Sequence, residues 1–283
     1  MMKEMFWKEV IISMYTSFYG MNCNPFLKDE SIKYKFESND FLETLYRFNY
    51  LKEIKGIGLL TGAPGYGKTY VARYFINSLN KDLYKIIYIS ATKDMSLFDF
   101  YKIISDKLSL DVGACYKIDI FNNIQSELKR LVLHDKVEPI IILDDAHLLS
   151  REIFMNFKVF YDFDMDSKDY VTLMLIGHPE LKHELSKTIY ETLKQRIIVN
   201  YSFEGLDREE VKNYIKTRLE YANASRDIFS SDAINALYSC CKSSPRRLNT
   251  LAINSLMLAC QNGLVTIDSD TVMNAKKEME IMI

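Results

Sequence analysis

At 283 residues the chain is long enough for one large domain or two modest ones. Apolar residues make up 48% and charged residues 26%, with only 10 Gly and 5 Pro, which excludes a disordered or fibrous chain. A net charge of −2 excludes a globally basic DNA-coating protein, so any nucleic-acid surface has to be a local patch.

Five cysteines (Cys23, Cys115, Cys240, Cys241, Cys260) form no C-x-x-C pair and are odd in number, which argues for reduced thiols and a cytoplasmic setting. No apolar run approaches the ~18 residues of a membrane span. Lys3, Glu4, Lys8 and Glu9 interrupt the first residues, so these do not read as a secretory signal.

Residues 1–55 mix aromatics and charges. Tyr19-Gly20 and Asn24-Pro25-Phe26 read as turns, with Pro25 excluding helix at Asn24. Asp40 is placed to cap a helix carrying Phe41, Leu42, Leu45, Tyr46 and Phe48. Apolar residues here either wall an adenine pocket or pack into the core.

Ile57-Gly58-Leu59-Leu60 then reads as a short buried strand, and Gly62-Ala63-Pro64-Gly65-Tyr66-Gly67-Lys68-Thr69 follows it. This octet satisfies G-x-x-x-x-G-K-[ST] at every fixed position. Residues 70–79 repeat Val71, Phe75, Ile76 and Leu79 at helical spacing. Strand, glycine loop and helix in that order are the context the motif needs. Gly62, Gly65 and Gly67 let the loop wrap tightly, so that its N–H groups point inward at a phosphate. The helix start adds unpaired N–H groups and about half a positive charge. Lys68 is expected on the β- and γ-phosphates and Thr69 on Mg²⁺, so ATP and Mg²⁺ are the expected ligands. The nucleotide-binding set is Gly62, Ala63, Pro64, Gly65, Tyr66, Gly67, Lys68, Thr69 and Tyr70.

Residues 84–90 (YKIIYIS) read as a second strand. Ser96 or Asp94 caps a helix with Leu97, Phe100, Tyr101, Ile104 and Leu108, and Gly113 ends that pattern before a helix over 118–133. Pro139 opens a strand over 140–143, apolar on both faces, that runs into Asp144-Asp145. An acid at the end of a buried strand beside a phosphate loop can hold Mg²⁺ through its water shell, which assigns Asp144 with Thr69 to the metal. Asp145 can then orient the attacking water; the alternative is a pair of helix-capping acids. Related sites mostly carry Glu at the second position, and Asp is one methylene shorter, which implies slow hydrolysis or a displaced water. The four histidines (134, 147, 178, 183) show no paired metal-ligand spacing.

A helix is expected over 152–165 and a buried strand over 171–176, ending in Gly177-His178-Pro179-Glu180-Leu181. His178 at that tip either faces the γ-phosphate or is an ordinary loop histidine. Leu193-Lys194-Gln195-Arg196 precedes a fifth strand over 197–201. Strands alternating with helices imply an α/β fold with a parallel five-stranded sheet. After Gly205 the strands stop. Asp207-x-x-Glu210 opens one helix, a second covers 231–241, a third runs from Pro245 to Gly263, and Asp268 starts the last. The expected division is an N-terminal extension and adenine-side segment (1–55), an α/β nucleotide-binding domain (56–204) and a small all-helical lid (205–283).

Together these residues resemble the AAA+ ATPases of the ExeA/GspA and TnsC/TniB type, over about Met14 to Ile281. The resemblance rests on Tyr19-Gly20 through Pro25-Phe26, the P-loop, the LDDAH stretch, Gly177-His178-Pro179-Glu180-Leu181, Gln195-Arg196 and Ser244-Pro245-Arg246-Arg247-Leu248-Asn249. It departs from the family at Ser243, where glycine is usual. Relatives commonly begin near Met14. The resemblance implies that Arg196 is an arginine finger reaching a neighbouring subunit's nucleotide, and that Arg246 is the lid's contact to the γ-phosphate of its own subunit. With Asp145 and His178 these make up the expected catalytic set.

ExeA-type secretion ATPases continue into a membrane span and a peptidoglycan-binding region, which this sequence lacks. The resemblance to transposition ATPases therefore implies a homo-oligomer, ring or filament, that binds double-stranded DNA, selects the target and recruits or activates a transposase, with a target-selection protein as a further partner and no membrane partner. Its ATPase is expected to be slow alone and stimulated by assembly or DNA. Lys93, Lys117 and Lys129 are the expected DNA contacts, against the alternative of solvated surface lysines. The competing functions are a secretion-associated ATPase and a nucleotide-dependent protein-binding switch without DNA affinity.

Overall fold

The computed structural model describes residues 14–27, 35–111, 116–164, 168–224 and 227–281. The expected break at Gly113, Cys115, Met165 and the stretch before Met14 lie outside them. Internal contacts divide the chain into two units. One comprises Phe41–Pro64 and Lys68–Phe203; the other comprises the described residues of Met1–Asp40, Gly65–Gly67 and Glu204–Ile283.

The first of these is built on five strands: β1 (Gly56–Thr61), β2 (Tyr84–Ser90), β3 (Glu138–Asp144), β4 (Thr172–Gly177) and β5 (Ile197–Ser202). They lie in the order β2-β3-β4-β1-β5, and every neighbouring pair is parallel. All five expected strands are present, their ends shifted by at most two residues. The order follows from side-chain chemistry. β4 is buried along its whole length and β1 at all but its first residue, as strands covered on both faces must be. The edge strands β2 and β5 mix buried and exposed positions, and Ile198 on β5 is half exposed.

Register brings the carboxyl ends together: Thr61 pairs with Gly177, Leu143 with Leu175, and Ser90 with Asp144. The tips of β1, β3 and β4 therefore emerge side by side, where ligands of open parallel sheets bind.

Helices α1 (Asn39–Ile54), α2 (Lys68–Ser78), α3 (Leu97–Leu108) and α4 (Lys117–Arg130) follow the sequence pattern closely. Ser96 is the cap of α3: its hydroxyl accepts from Asp99 N, while the Asp99 carboxylate accepts from Ser96 N at 3.1 Å. Asp40 does not cap α1. Its carboxylate instead accepts from Glu204 N at 3.1 Å and Gly205 N at 2.8 Å, so the charge is used to fix a distant turn.

The expected helix over 152–165 is shorter and of mixed type. α5 (Arg151–Met155) stops at Asn156, and Phe157–Phe160 forms a 3₁₀ turn. Phe154, Phe157 and Phe160 are all buried. Their three-residue spacing suits 3.0 residues per turn better than 3.6, so the tighter helix keeps all three rings in the core. Phe100 of α3 meets Phe157 and Phe160 with ring centroids 6.0 Å apart. Short helices α6 (Pro179–Leu185) and α7 (Glu191–Gln195) join β4 to β5.

In the other unit, α8 (Arg208–Tyr221), α9 (Ser231–Cys241), α10 (Pro245–Gln261) and α11 (Ser269–Ile281) supply Val211, Ile215, Leu237, Leu248, Leu256 and Val272 to one core. Tyr15, Tyr19 and Phe26 pack into the same cluster. Three of these starts are chemically marked as expected, and Ser230 caps α9, a signal the sequence reading did not use. Asp207 and Glu210 form a reciprocal capping box on α8, Pro245 stands in the first turn of α10, and Asp268 accepts from Thr271 N at 2.9 Å. Among the described residues no helix is long and apolar enough to cross a membrane.

Candidate nucleotide and metal site

The glycine loop leaves β1 at Thr61 and enters α2 at Lys68. Gly67 has φ of +102°, a backbone conformation that side-chain-bearing residues rarely adopt. Lys68 is 7% exposed, and its ammonium donates to Gly62 O at 2.7 Å and Ala63 O at 2.9 Å. The loop thus curls around the lysine head. That fixes the charge within the ring of backbone groups that the motif aims at phosphate.

Next in sequence, the Thr69 hydroxyl donates to Asp144 Oδ2 at 2.7 Å, joining the ends of α2 and β3. Asp144 is 3% exposed and carries two further bonds. Tyr88 Oη, from β2, donates to the same Oδ2 at 2.8 Å, and Asp145 N donates to Oδ1 at 2.9 Å. Burial, reinforced by the Asp144 carboxylate, pushes the Tyr88 phenol well above its ordinary range, so it remains a donor at any working pH.

The donor set fits Mg²⁺. Both groups are hard oxygens, and an octahedral ion with bonds of about 2.05 Å separates adjacent ligands by about 2.9 Å. The Thr69–Asp144 hydrogen bond, at 2.7 Å, keeps the two oxygens within a few tenths of an ångström of that spacing.

Asp145 follows in the left-handed region (φ 53°, ψ 33°) and starts a 3₁₀ turn, Ala146–Leu148. That turn lifts His147 toward the tip of β4. A Cβ on Gly177 would lie 3.2 Å from His147 N and 2.8 Å from Leu181, so glycine there permits the approach. As a result the His147 and His178 rings stack, with centroids 3.9 Å apart and planes 22° from parallel. His178 N donates to His147 Nδ1 over a long 3.4 Å. Burial and then the neighbouring His178 hold His147 below the ordinary imidazole range, so the ring is neutral near pH 7. Asp145 completes a cluster in which one ligating atom from each of Asp145, His147 and His178 lies within 4.8 Å of the others.

Of the expected residues, Thr69, Asp144, Asp145, Lys68 and His178 therefore gather at adjacent strand tips. Arg196 ends α7, and its guanidinium lies over the Tyr161 ring at 4.3 Å. Arg246 is exposed; its N–H donates to Gly65 O at 3.4 Å, and Ser244 Oγ does the same at 3.4 Å. Lys93 is exposed in the turn after β2. Lys117 pairs with Glu152 at 3.5 Å, and Lys129 pairs with Asp164. Sequence reasoning missed Tyr88 and His147. Nothing local marks Tyr88 as different from any strand aromatic, and 31 residues separate the two stacked histidines.

Residues 52–185 match the family model described as an AAA domain. General secretion pathway protein A of Aeromonas hydrophila is 29% identical over 253 residues, covering 88% of this chain and 46% of that protein. The chain thus spans about half the length of this relative. Among solved structures, Cdc6p of Pyrobaculum aerophilum superposes with a TM-score of 0.67 at 16% identity, covering 90% of this chain and 70% of the other. A chain of the Drosophila ORC bound to DNA superposes with a TM-score of 0.68 at 13% identity, covering 94% and 66%. The likeness to these two is one of fold. A phosphate loop feeding a helix, an acid-ended central strand, and a fold shared with Cdc6 and ORC point the same way: residues 52–185 match an AAA domain and carry the AAA+ P-loop fold, and the chain is homologous to General secretion pathway protein A over the segment they share.

Proposed function

We propose that this chain is a cytoplasmic ATPase that assembles with copies of itself on double-stranded DNA and, so assembled, selects the target and recruits or activates a transposase, together with a target-selection protein. The observation that carries the nucleotide half is the Thr69–Asp144 pair, held at metal-ligand spacing beside a buried Lys68. In this reading the loop N–H groups and Lys68 bind the phosphates, and Thr69 and Asp144 hold Mg²⁺. The ion, when bound, offsets the charge on the β- and γ-oxygens. Asp145 aligns the attacking water and accepts its proton, with His178 and Arg246 beside the γ-phosphate. Arg196 acts across to the neighbouring copy, where an arginine finger contributes about 10³–10⁵ in rate.

Support for the DNA half is the likeness of fold to a chain of an ORC bound to DNA. A single copy carries 36 Lys and Arg against 38 Asp and Glu, so it offers a phosphate backbone no net attraction. Lys117 and Lys129 already pair with Glu152 and Asp164, so contact there would exchange carboxylate for phosphate. Weak contacts of this kind, Lys93 included, become strong when many copies align along one duplex. Loss of the γ-phosphate after hydrolysis would loosen the assembly.

The test is a salt-titrated DNA-binding measurement, with sedimentation, with and without a non-hydrolysable ATP analogue and Mg²⁺. Assembly and DNA affinity that both require nucleotide, together with a roughly 10³-fold slower turnover in Arg196→Ala, support the reading. A chain that stays monomeric at saturating nucleotide, or binds DNA equally without it, overturns it. The homology to General secretion pathway protein A favours a second reading, a secretion-associated ATPase. That reading predicts nucleotide-dependent self-assembly with no affinity for DNA in any nucleotide state.

A further inference from the structure

Asp145, His147 and His178 bring imidazole and carboxylate together in a way that neither phosphate binding nor water alignment requires. We infer that these three side chains form a second metal site, selective for a borderline transition-metal dication such as Zn²⁺ and chemically distinct from the all-oxygen Thr69–Asp144 pair.

Four observations carry this. The ligating atoms of the three residues already lie within 4.8 Å of one another. A tetrahedral ion with bonds of about 2.0 Å needs its ligands about 3.3 Å apart, so closure takes about 1.5 Å of side-chain movement and a rotation of one imidazole out of the stack, because the ligating lone pairs lie in the ring planes. All three residues are half-buried rather than locked in the core, and no hydrogen bond among the described residues reaches the Asp145 carboxylate. The one hydrogen bond to the His147 ring is long, at 3.4 Å, and is easily given up to a metal.

The backbone is suited to the task as well. Gly177 lets His147 approach the β4 tip, and the left-handed turn at Asp145 sets the acid beside both rings. Ligand chemistry then separates the two sites. Imidazole favours Zn²⁺, Ni²⁺ or Co²⁺, whereas hydroxyl and carboxylate favour Mg²⁺. Three protein ligands leave a fourth position for water or a phosphate oxygen, the arrangement of an open zinc site. Occupancy would withdraw Asp145 from the attacking water, so Zn²⁺ would silence hydrolysis while Mg²⁺ supports it. That consequence rests on the proposed role of Asp145; metal binding itself does not.

The experiment uses the full chain without a polyhistidine tag and without nucleotide, titrated with Co²⁺ and followed by visible absorption. One equivalent giving d–d bands of a nitrogen- and oxygen-ligated ion, displaced by Zn²⁺, is expected. His147→Gln should weaken binding by at least about tenfold. Thermal melting of the variant checks that it folds, and His178→Gln should weaken Co²⁺ in parallel. Absence of Co²⁺ bands, unchanged affinity in both variants, or a thiolate charge-transfer band locating the metal on Cys23, Cys240, Cys241 or Cys260 overturns the site. If Zn²⁺ binds with the expected dependence on His147 yet leaves turnover untouched, the metal site stands and the role given to Asp145 falls.

Discussion

Asp144 and Asp145 are neighbours on one strand end, carry the same side chain and live under opposite conditions. Asp144 is 3% exposed, and its two oxygens accept from Thr69, Tyr88 and Asp145 N. Asp145 is half-buried in a left-handed turn, and among the described residues no hydrogen bond reaches its carboxylate. A group that must hold an ion in one geometry is fixed in advance by bonds from three directions. A group that must meet a moving water or a changing phosphate is left with room. On the proposed roles, with Asp144 holding Mg²⁺ and Asp145 aligning the water, pre-organisation is concentrated on the binding side of the site and withheld from its reactive side.

Three substitutions would break or sharpen this contrast. Asp145→Asn should lower ATP turnover by about 10²–10⁴, the range expected for a lost general base. Nucleotide affinity and melting temperature should stay at wild-type values, because this carboxylate supports no local structure. Single-turnover kinetics beside a fluorescent-nucleotide titration separate the two effects. A large drop in melting temperature would show that Asp145 is structural after all.

Tyr88→Phe should act on the other acid. It deletes a neutral donor to a buried carboxylate, a bond worth about 1.5 kcal/mol, so Mg²⁺-dependent nucleotide affinity should fall roughly tenfold. Affinity measured in EDTA should not change, and that split is what a merely structural tyrosine would not produce.

His147→Gln should give the smallest effect, a change of slope with pH. Burial and His178 lower the folded-state value of His147, while Asp145 and Glu180 oppose them and Lys68 adds to them. The unfolded chain therefore takes up this proton first. Stability is lost as pH falls through the ordinary imidazole value toward the depressed one, by at most one proton's worth of slope. Urea unfolding at pH 7.5 and pH 5.5 should show that difference in wild type and a reduced one in the variant.

How much of this was legible from residues alone follows from how local each signal is. The strands were readable because apolar runs bounded by turns need no partner to be recognised, and the caps at Ser96, Asp207 and Asp268 act within four residues. The phosphate loop was readable because its chemistry is contiguous. Asp40 was misread for the same reason: a local rule assigned it to the nearest helix, while its oxygens serve Glu204 and Gly205, more than 160 residues away. Tyr88 and the stacking of His147 on His178 escaped because they depend on strand order, β3 standing between β2 and β4. The helix expected over 152–165 went wrong where aromatic burial overrode period, at Phe157 and Phe160.

The positive φ at Asp145 has a consequence for protein engineering and for natural variation alike. Short polar side chains such as Asp and Asn tolerate that conformation by bonding locally, whereas longer ones bear a steric penalty of about 1 kcal/mol. Replacing Asp145 by the longer acid that related sites carry would therefore do more than extend its reach. It would press the strand exit toward a different backbone path, and with it the spacing of His147 and His178. The backbone turn at Asp145 and the paired imidazoles are thus coupled through the strand exit: a longer side chain at 145 should disturb the ring spacing, whereas Asn, which tolerates the same turn, should leave it in place.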